Sequence, residues 1–165
     1  MSTLLIIDDN QSVRESLRFL LRRRGYEVLV ASSGAEALAL AAQHPVDGAM
    51  IDINMPGMNG LEVCRQLREN AVRAGRVVAL WTMTGARTSE LARRSLEQGA
   101  IELLGKPFDF RALFAEFEQR FGPQPAPDPD QLFPPRLEPP AMPTGDSMQP
   151  FPAPSGGPSV AHPES

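Results

Sequence analysis

One lysine, one cysteine, one tryptophan and one tyrosine occur in 165 residues, alongside two histidines, and no apolar run approaches the length of a membrane span. Each scarcity excludes something. A lone Cys64 can form no intramolecular disulfide and no zinc or iron–sulfur cluster, which fits a reducing compartment. It shares a helical apolar stripe with Leu61 and Leu67, so it reads as a small core hydrophobe. His44, before a proline, and His162, near the C-terminus, have no partner residues in the sequence and suggest no site. The N-terminus enters the apolar stretch Leu4–Ile7 and meets Asp8 and Asp9 at once. That is the pattern of neither a signal peptide nor a membrane anchor, and a cytoplasmic protein with no membrane partner is expected.

Positive charge rests on fifteen arginines and the single Lys106. Up to Gly122 there are fifteen basic and fifteen acidic residues, so the net charge of −4 belongs to the residues beyond. A neutral domain is a poor non-specific binder of nucleic acid, and no nucleic-acid partner is expected. Fourteen of the seventeen prolines also fall after Gly122. Two regions follow: a domain over 1–122 and a proline-rich tail over 123–165. Rich in proline, glycine and small polar residues, the tail cannot bury enough surface to offset the entropy of ordering, and disorder is expected there. Leu132-Phe133-Pro134-Pro135-Arg136-Leu137 and Phe151 are its apolar islands. No helix-turn-helix or enzymatic domain fits within it.

Before Gly122, short apolar runs alternate with stretches of helical periodicity. Leu4–Ile7 reads as a strand buried on both faces, and Val13, Leu17, Leu20 and Leu21 as a helix that Gly25 closes. Val28–Val30 is a second strand. Ser33 and Glu36 form a capping box for a helix to about Gln43. Ala49–Ile51 is a third strand, followed by a helix over Leu61–Arg68; Val77–Trp81 is the fourth, followed by a helix over Ser89–Gln98. Ile101–Leu104 is the fifth, and Asp109 caps a last helix whose Leu113, Phe114, Phe117 and Phe121 share one face. Strands separated by helices lie parallel, so the expected fold is α/β.

Ligands of such sheets bind beyond the carboxyl ends of the strands. Asp8 and Asp9 follow the first run, Asp52 the third, Thr84 the fourth and Lys106 the fifth. Three neighbouring carboxylates repel one another unless a cation joins them, and Mg2+, with its preference for carboxylates, water and phosphate oxygens, suits that set. The composition implies phosphoryl chemistry: Asp52 as the nucleophile that becomes an aspartyl phosphate, Lys106 and Thr84 as groups that meet the phosphoryl oxygens. Asn54, Pro56, Gly57 and Gly60 form a turn beside Asp52. Taken singly, each residue has a plainer reading. Asp8 and Asp9 could cap a helix, Thr84 could belong to a turn, Arg22–Arg24 suit a helix C-terminus, and Lys106 could be a compositional survivor.

The pair Asp8-Asp9, the segment Asp52-Ile53-Asn54-Met55-Pro56-Gly57-Met58-Asn59-Gly60, Thr84-Gly85-Ala86 and Lys106-Pro107-Phe108, in this order across five strand–helix units, resemble the receiver domain of two-component response regulators. The resemblance covers residues 1 to about 122. It implies a flavodoxin-like, five-stranded parallel sheet in order 2-1-3-4-5 flanked by five helices. It also implies phosphorylation of Asp52 by a histidine kinase or phosphotransfer protein, with Mg2+ as cofactor. Asp9 would bind the metal directly, Asp8 mainly through water, Asp52 through its carboxylate and Asn54 through its backbone carbonyl. Thr84 and Lys106 would hold the phosphoryl oxygens, and Lys106–Pro107 would be cis.

One residue departs from the family. Many receivers carry tyrosine or phenylalanine three residues before the lysine, where the ring turns inward as the threonine moves; here the position is Leu103. The leading expectation is a phosphoacceptor, not an enzyme beyond self-dephosphorylation, that signals through its surface to an output protein, with homodimer formation left open. A phosphorylation-independent interaction module is the alternative that Leu103 keeps open. A phosphatase with an aspartyl nucleophile is a third, but Asn54 stands where such enzymes carry a general acid.

Overall fold

The computed structural model describes residues 1–129, and the apolar islands of the tail lie outside them. The alternation of the sequence becomes β1 (Thr3–Ile7), α1 (Gln11–Arg22), β2 (Glu27–Ala31), α2 (Gly34–Gln43), β3 (Gly48–Asp52), α3 (Gly60–Arg73), β4 (Ala79–Thr84), α4 (Ser89–Glu97), β5 (Glu102–Gly105) and α5 (Phe110–Phe121). The five strands form one parallel sheet in the expected order β2-β1-β3-β4-β5.

Strand alternation divides the core between the two faces of the sheet. Leu4 and Ile6 of β1, Met50 of β3, and Trp81 and Met83 of β4 pack with Leu17 and Leu21 of α1 and with Leu113, Phe114 and Phe117 of α5. Leu5, Ile7, Ala49, Ile51 and Leu80 pack on the other face with Ala37 of α2 and Val63, Cys64 and Leu67 of α3. A smaller cluster, Ile53, Leu61 and Leu103, lies under α4, with Leu91 and Ala92 resting on it. β1 and β3, covered on both faces, bury almost every residue, which is why they read as uninterrupted apolar runs.

Local signals account for most boundaries. Asn10, Ser33, Asn59, Thr88 and Asp109 each cap a helix by accepting a backbone N–H. The expected capping box is displaced by one residue: Ser33 Oγ accepts from Glu36 N, but the Glu36 carboxylate accepts from the N–H and hydroxyl of Ser32. Two segments differ more. α3 runs on to Arg73, its exposed turns joined by Arg65 pairs with Glu62 and Glu69. β4 starts at Ala79 instead of Val77, which is 93% exposed, and runs on to Thr84. The strand begins where pairing with Gly48 begins, and its two buried threonines extend it beyond the apolar run. Past α5, the Gln124 side chain accepts from Ser2 N at 2.8 Å and donates to Ser2 Oγ at 3.3 Å, tying this stretch to the start of β1.

Candidate functional site

The carboxyl ends of the three central strands and β5 bring Asp8, Asp9, Asp52, Asn54, Thr84 and Lys106 to one edge of the sheet. Parallel pairing sets their level, with Ile7 opposite Ile51, Asp52 opposite Met83 and Thr84 opposite Gly105. Oxygens of Asp8, Asp9 and Asp52 all lie within 4.8 Å of one another; Asp8 and Asp52 are buried and Asp9 is exposed. Helix capping at α1 falls to Asn10, which leaves both preceding aspartates to the cluster.

Lys106 Nζ donates to Asp8 Oδ2 at 2.7 Å and stands 3.7 Å from Asp52 Oδ1. Its ammonium is a single charge on a flexible stem, able to shift between two oxygens where an arginine fork would demand planar pairing. The Lys106–Pro107 peptide that follows it is cis. Asp52 Oδ1 accepts from Asn54 N at 3.3 Å, and Asp8 Oδ1 from Asn10 N at 2.9 Å. Burial pushes the Asp52 carboxyl up to about 6, and the nearby Asp8 acts in the same direction; Lys106 and the Asn54 N–H pull it down without cancelling the rise. Three acids against one ammonium thus leave negative charge in a partly buried pocket.

That donor set fits a hard divalent cation. Carboxylate oxygens converge from two strand ends, one of them solvent-facing, so an octahedral ion could keep waters on its open side. Binding there would offset the repulsion that raises Asp52.

Thr84 closes β4, fully buried, and its Oγ1 accepts from Ala86 N at 3.2 Å and Asn54 Nδ2 at 3.3 Å. With two donors aimed at its oxygen, the hydroxyl proton can turn toward the pocket. Two contacts here had no clear signal in the sequence. The Asn54 side chain aligns Thr84, in addition to what its backbone can offer, and Arg14 Nη1 donates to the Asp8 carbonyl at 2.8 Å. Both join residues far apart in sequence or across an element boundary.

Gly60 shows why the turn after Asp52 is built as it is. A Cβ there would stand 2.1 Å from the Asp52 carbonyl oxygen and 2.7 Å from Ile53 Cα. Only glycine lets the start of α3 approach the backbone of the site so closely.

Fold and site together define a flavodoxin-like domain with an acidic pocket at the carboxyl edge of its sheet. Residues 4–118 match the response regulator receiver domain, and the chain belongs to that family. Its members serve two-component systems as phosphoacceptors, not as conventional enzymes, and bind Mg2+ at an acidic pocket. Response regulator MprA of Mycobacterium sp. (strain KMS) is 38% identical over 128 residues, 76% of this chain and 54% of that protein. MprA of Mycobacterium leprae (strain TN) is 38% identical over 112 residues, 68% of this chain and 47% of that protein. The chain therefore spans about half the length of the curated relatives it matches. Among solved structures, chemotaxis protein CheY4 of Vibrio cholerae aligns with a TM-score of 0.66 at 30% identity, covering 73% of this chain and 98% of that one. A putative response regulator from Chloroflexus aurantiacus J-10-fl aligns at 0.62 and 32% identity, covering 72% and 95%.

Proposed function

We propose that Asp52 is the phosphoacceptor of this receiver and that a histidine kinase or phosphotransfer protein is its donor. The observation that carries this reading is the convergence of Asp8, Asp9 and Asp52 within 4.8 Å, with Lys106 reaching two of them. With its carboxyl near 6, Asp52 is roughly nine-tenths ionised at pH 7 and able to act as nucleophile. An Asp52 oxygen forms the new bond to phosphorus as the phosphorus–nitrogen bond of the donor imidazole breaks, and the imidazole departs with the bonding pair.

Asp9, Asp52 and the Asn54 carbonyl would hold Mg2+, with Asp8 acting through water, and the ion would supply charge neutralisation at the phosphoryl oxygens. Lys106 and Thr84 meet the remaining oxygens. Lys106 must leave part of its pairing with Asp8 to do so, which its flexible stem permits. Loss of the phosphoryl group to water would return the protein to its starting state, so self-dephosphorylation belongs to the same reading.

The domain spans residues 1–122 and residues 123–165 form an extension; the output is a protein contacted through the surface of the domain, in the cytoplasm. The balance of fifteen basic and fifteen acidic residues over the domain supports a protein output over a nucleic acid. No described helix is long and apolar enough to cross a membrane. Leu103 is 1% exposed and packed with Ile53 and Leu61, which favours, as the second reading, an interaction module indifferent to phosphorylation.

Incubation with magnesium and acetyl phosphate, followed by intact-mass analysis, separates the two. A hydroxylamine-sensitive gain of one phosphoryl group, lost in Asp52→Asn, supports the phosphoacceptor; no gain in the parent leaves the indifferent module. Lys106→Arg is expected to keep the fold and reduce the response to beryllofluoride at least tenfold, because the planar fork cannot take the place of the ammonium.

A further inference from the structure

Toward the amino edge of the sheet, opposite the Asp52 pocket, lies a cavity of about 330 Å3. Arg24 and Tyr26 line it at the turn into β2, Phe114 and Glu118 from α5, and Pro123 and Gln124 from the chain beyond. That volume falls within the range of small-ligand pockets. Its walls are held in place. Gln124 accepts from Ser2 N and donates to Ser2 Oγ and to the carbonyls of Phe121 and Gly122, so its amide is already committed. Gly25, at φ 86°, admits the Pro125 carbonyl to a point only 2.1 Å from where a Cβ would stand.

The polar groups that remain are mostly donors. Tyr26 is 4% exposed, and its hydroxyl has no hydrogen-bond partner among the described residues. Burial, and then the Glu118 carboxylate, push this phenol up while Arg24 pulls it down, so the hydroxyl lies in the field of both charged residues of the cavity. Arg24 sets its guanidinium 4.4 Å from the centre of the Phe114 ring and reaches Glu118 only at 3.5 Å. Its side chain makes no hydrogen bond among the described residues, and both members of the pair are exposed, so their attraction is screened. An unpartnered phenol and an unfilled guanidinium fork call for acceptors, and a carboxylate offers two oxygens in the geometry of the fork. The rings of Tyr26 and Phe114 suit a flat apolar body beside it.

We propose that this cavity is a binding site for a small carboxylic acid with an aromatic body, whose carboxylate accepts from Arg24 and from the Tyr26 hydroxyl. The ligand takes the place of Glu118 beside the guanidinium, and Glu118, with its side chain 63% exposed, turns into water. The inference stands apart from the phosphoacceptor reading, since none of these residues belongs to the acidic pocket.

The test follows amide chemical shifts of the isotope-labelled full chain, without metal, as phenylacetate or benzylamine is added up to roughly 20 mM. Phenylacetate should give saturable shifts centred on residues 24–26 and 114–118. Benzylamine, with the same ring and the opposite charge, should bind about fivefold more weakly or less. Tyr26→Phe, which keeps the ring, and Arg24→Gln should each weaken phenylacetate by about threefold or more. Glu118→Gln, which removes the competing carboxylate, should tighten it by about twofold. Tyr26→Phe should also raise the ligand-free thermal midpoint, because it removes a desolvated hydroxyl, so weaker binding in that variant cannot be laid to a damaged fold. No saturable shift in the parent, equal affinity for the two probes, or unchanged affinity in Tyr26→Phe or in Arg24→Gln overturns the proposal. Shifts centred on Asp8, Asp9 and Asp52 instead would put the acid in the other pocket and overturn it as well.

Discussion

α5 and α4 flank the same edge of the sheet and are held by different physics. α5 sets Phe117 against Trp81, ring centroids 4.7 Å apart, and against Tyr26 at 6.0 Å, while Trp81 Nε1 donates to Glu116 at 3.1 Å. These are large apolar surfaces, closely packed, with the indole polar atom satisfied. α4 buries only Ser95 fully and sets the half-buried Leu91 and Ala92 on Ile53, Leu61 and Leu103. One helix anchors the domain; the other contributes little buried apolar surface to it. The pocket lies between these regimes, and there stability has been given up: Asp52 is buried beside Asp8 with its carboxyl displaced to about 6.

The contrast breaks most visibly at Phe117. Phe117→Ala is expected to lose about 3–5 kcal/mol, measured by urea unfolding, because the ring is fully buried among aromatic neighbours. Next in size is the pocket itself. With the carboxyl of Asp52 near 6 when folded and about 3.9 when unfolded, the folded chain binds more protons between those values, so metal-free stability falls as pH rises through that window. Between pH 4.5 and pH 7 the fall amounts to about 2 kcal/mol. Unfolding in EDTA at pH 4.5 and 7 should show it, and Asp52→Asn should remove most of the slope.

Gly60→Ala should cost about 1–3 kcal/mol, since the added methyl meets the Asp52 carbonyl, and should also slow phosphorylation by acetyl phosphate. On α4, Leu91→Ala should cost only about 1 kcal/mol, for a side chain that is half-buried to begin with. A loss there equal to that at Phe117 would erase the distinction between the helices. The smallest effect is expected at the exposed pairs of Arg65: Arg65→Gln should change stability by less than about 1 kcal/mol, and less still at high salt.

Cys64 illustrates a reading that held for the expected reason. It is fully buried between α3 and its neighbours, and burial pushes its thiol up to about 11, as suits a packed hydrophobe and not a nucleophile. The start of β4 illustrates the reverse. Val77 and Val78 extend the apolar run, yet the strand begins at Ala79, because pairing with β3 decides where a strand starts and an apolar run does not. Thr82 and Thr84 went uncounted in that run, although β-branched residues suit strands whether apolar or not.

The sequence by itself determined the order of elements, the helix caps and the set of residues at the strand ends, since each depends on neighbours within a few positions or on strict alternation. That the carboxylates meet, that Lys106 reaches Asp8 more closely than Asp52, and that the Asn54 side chain aligns Thr84 were decided only in the tertiary structure. Those contacts join residues 30 to 98 positions apart, and their lengths are set by sheet register and burial. The burial of the Thr82 and Ser95 hydroxyls without a partner among the described residues belongs there too. A serine in a helix and a threonine in a strand look ordinary in the chain, and become costly only when the fold places both hydroxyls out of reach of water and of a partner.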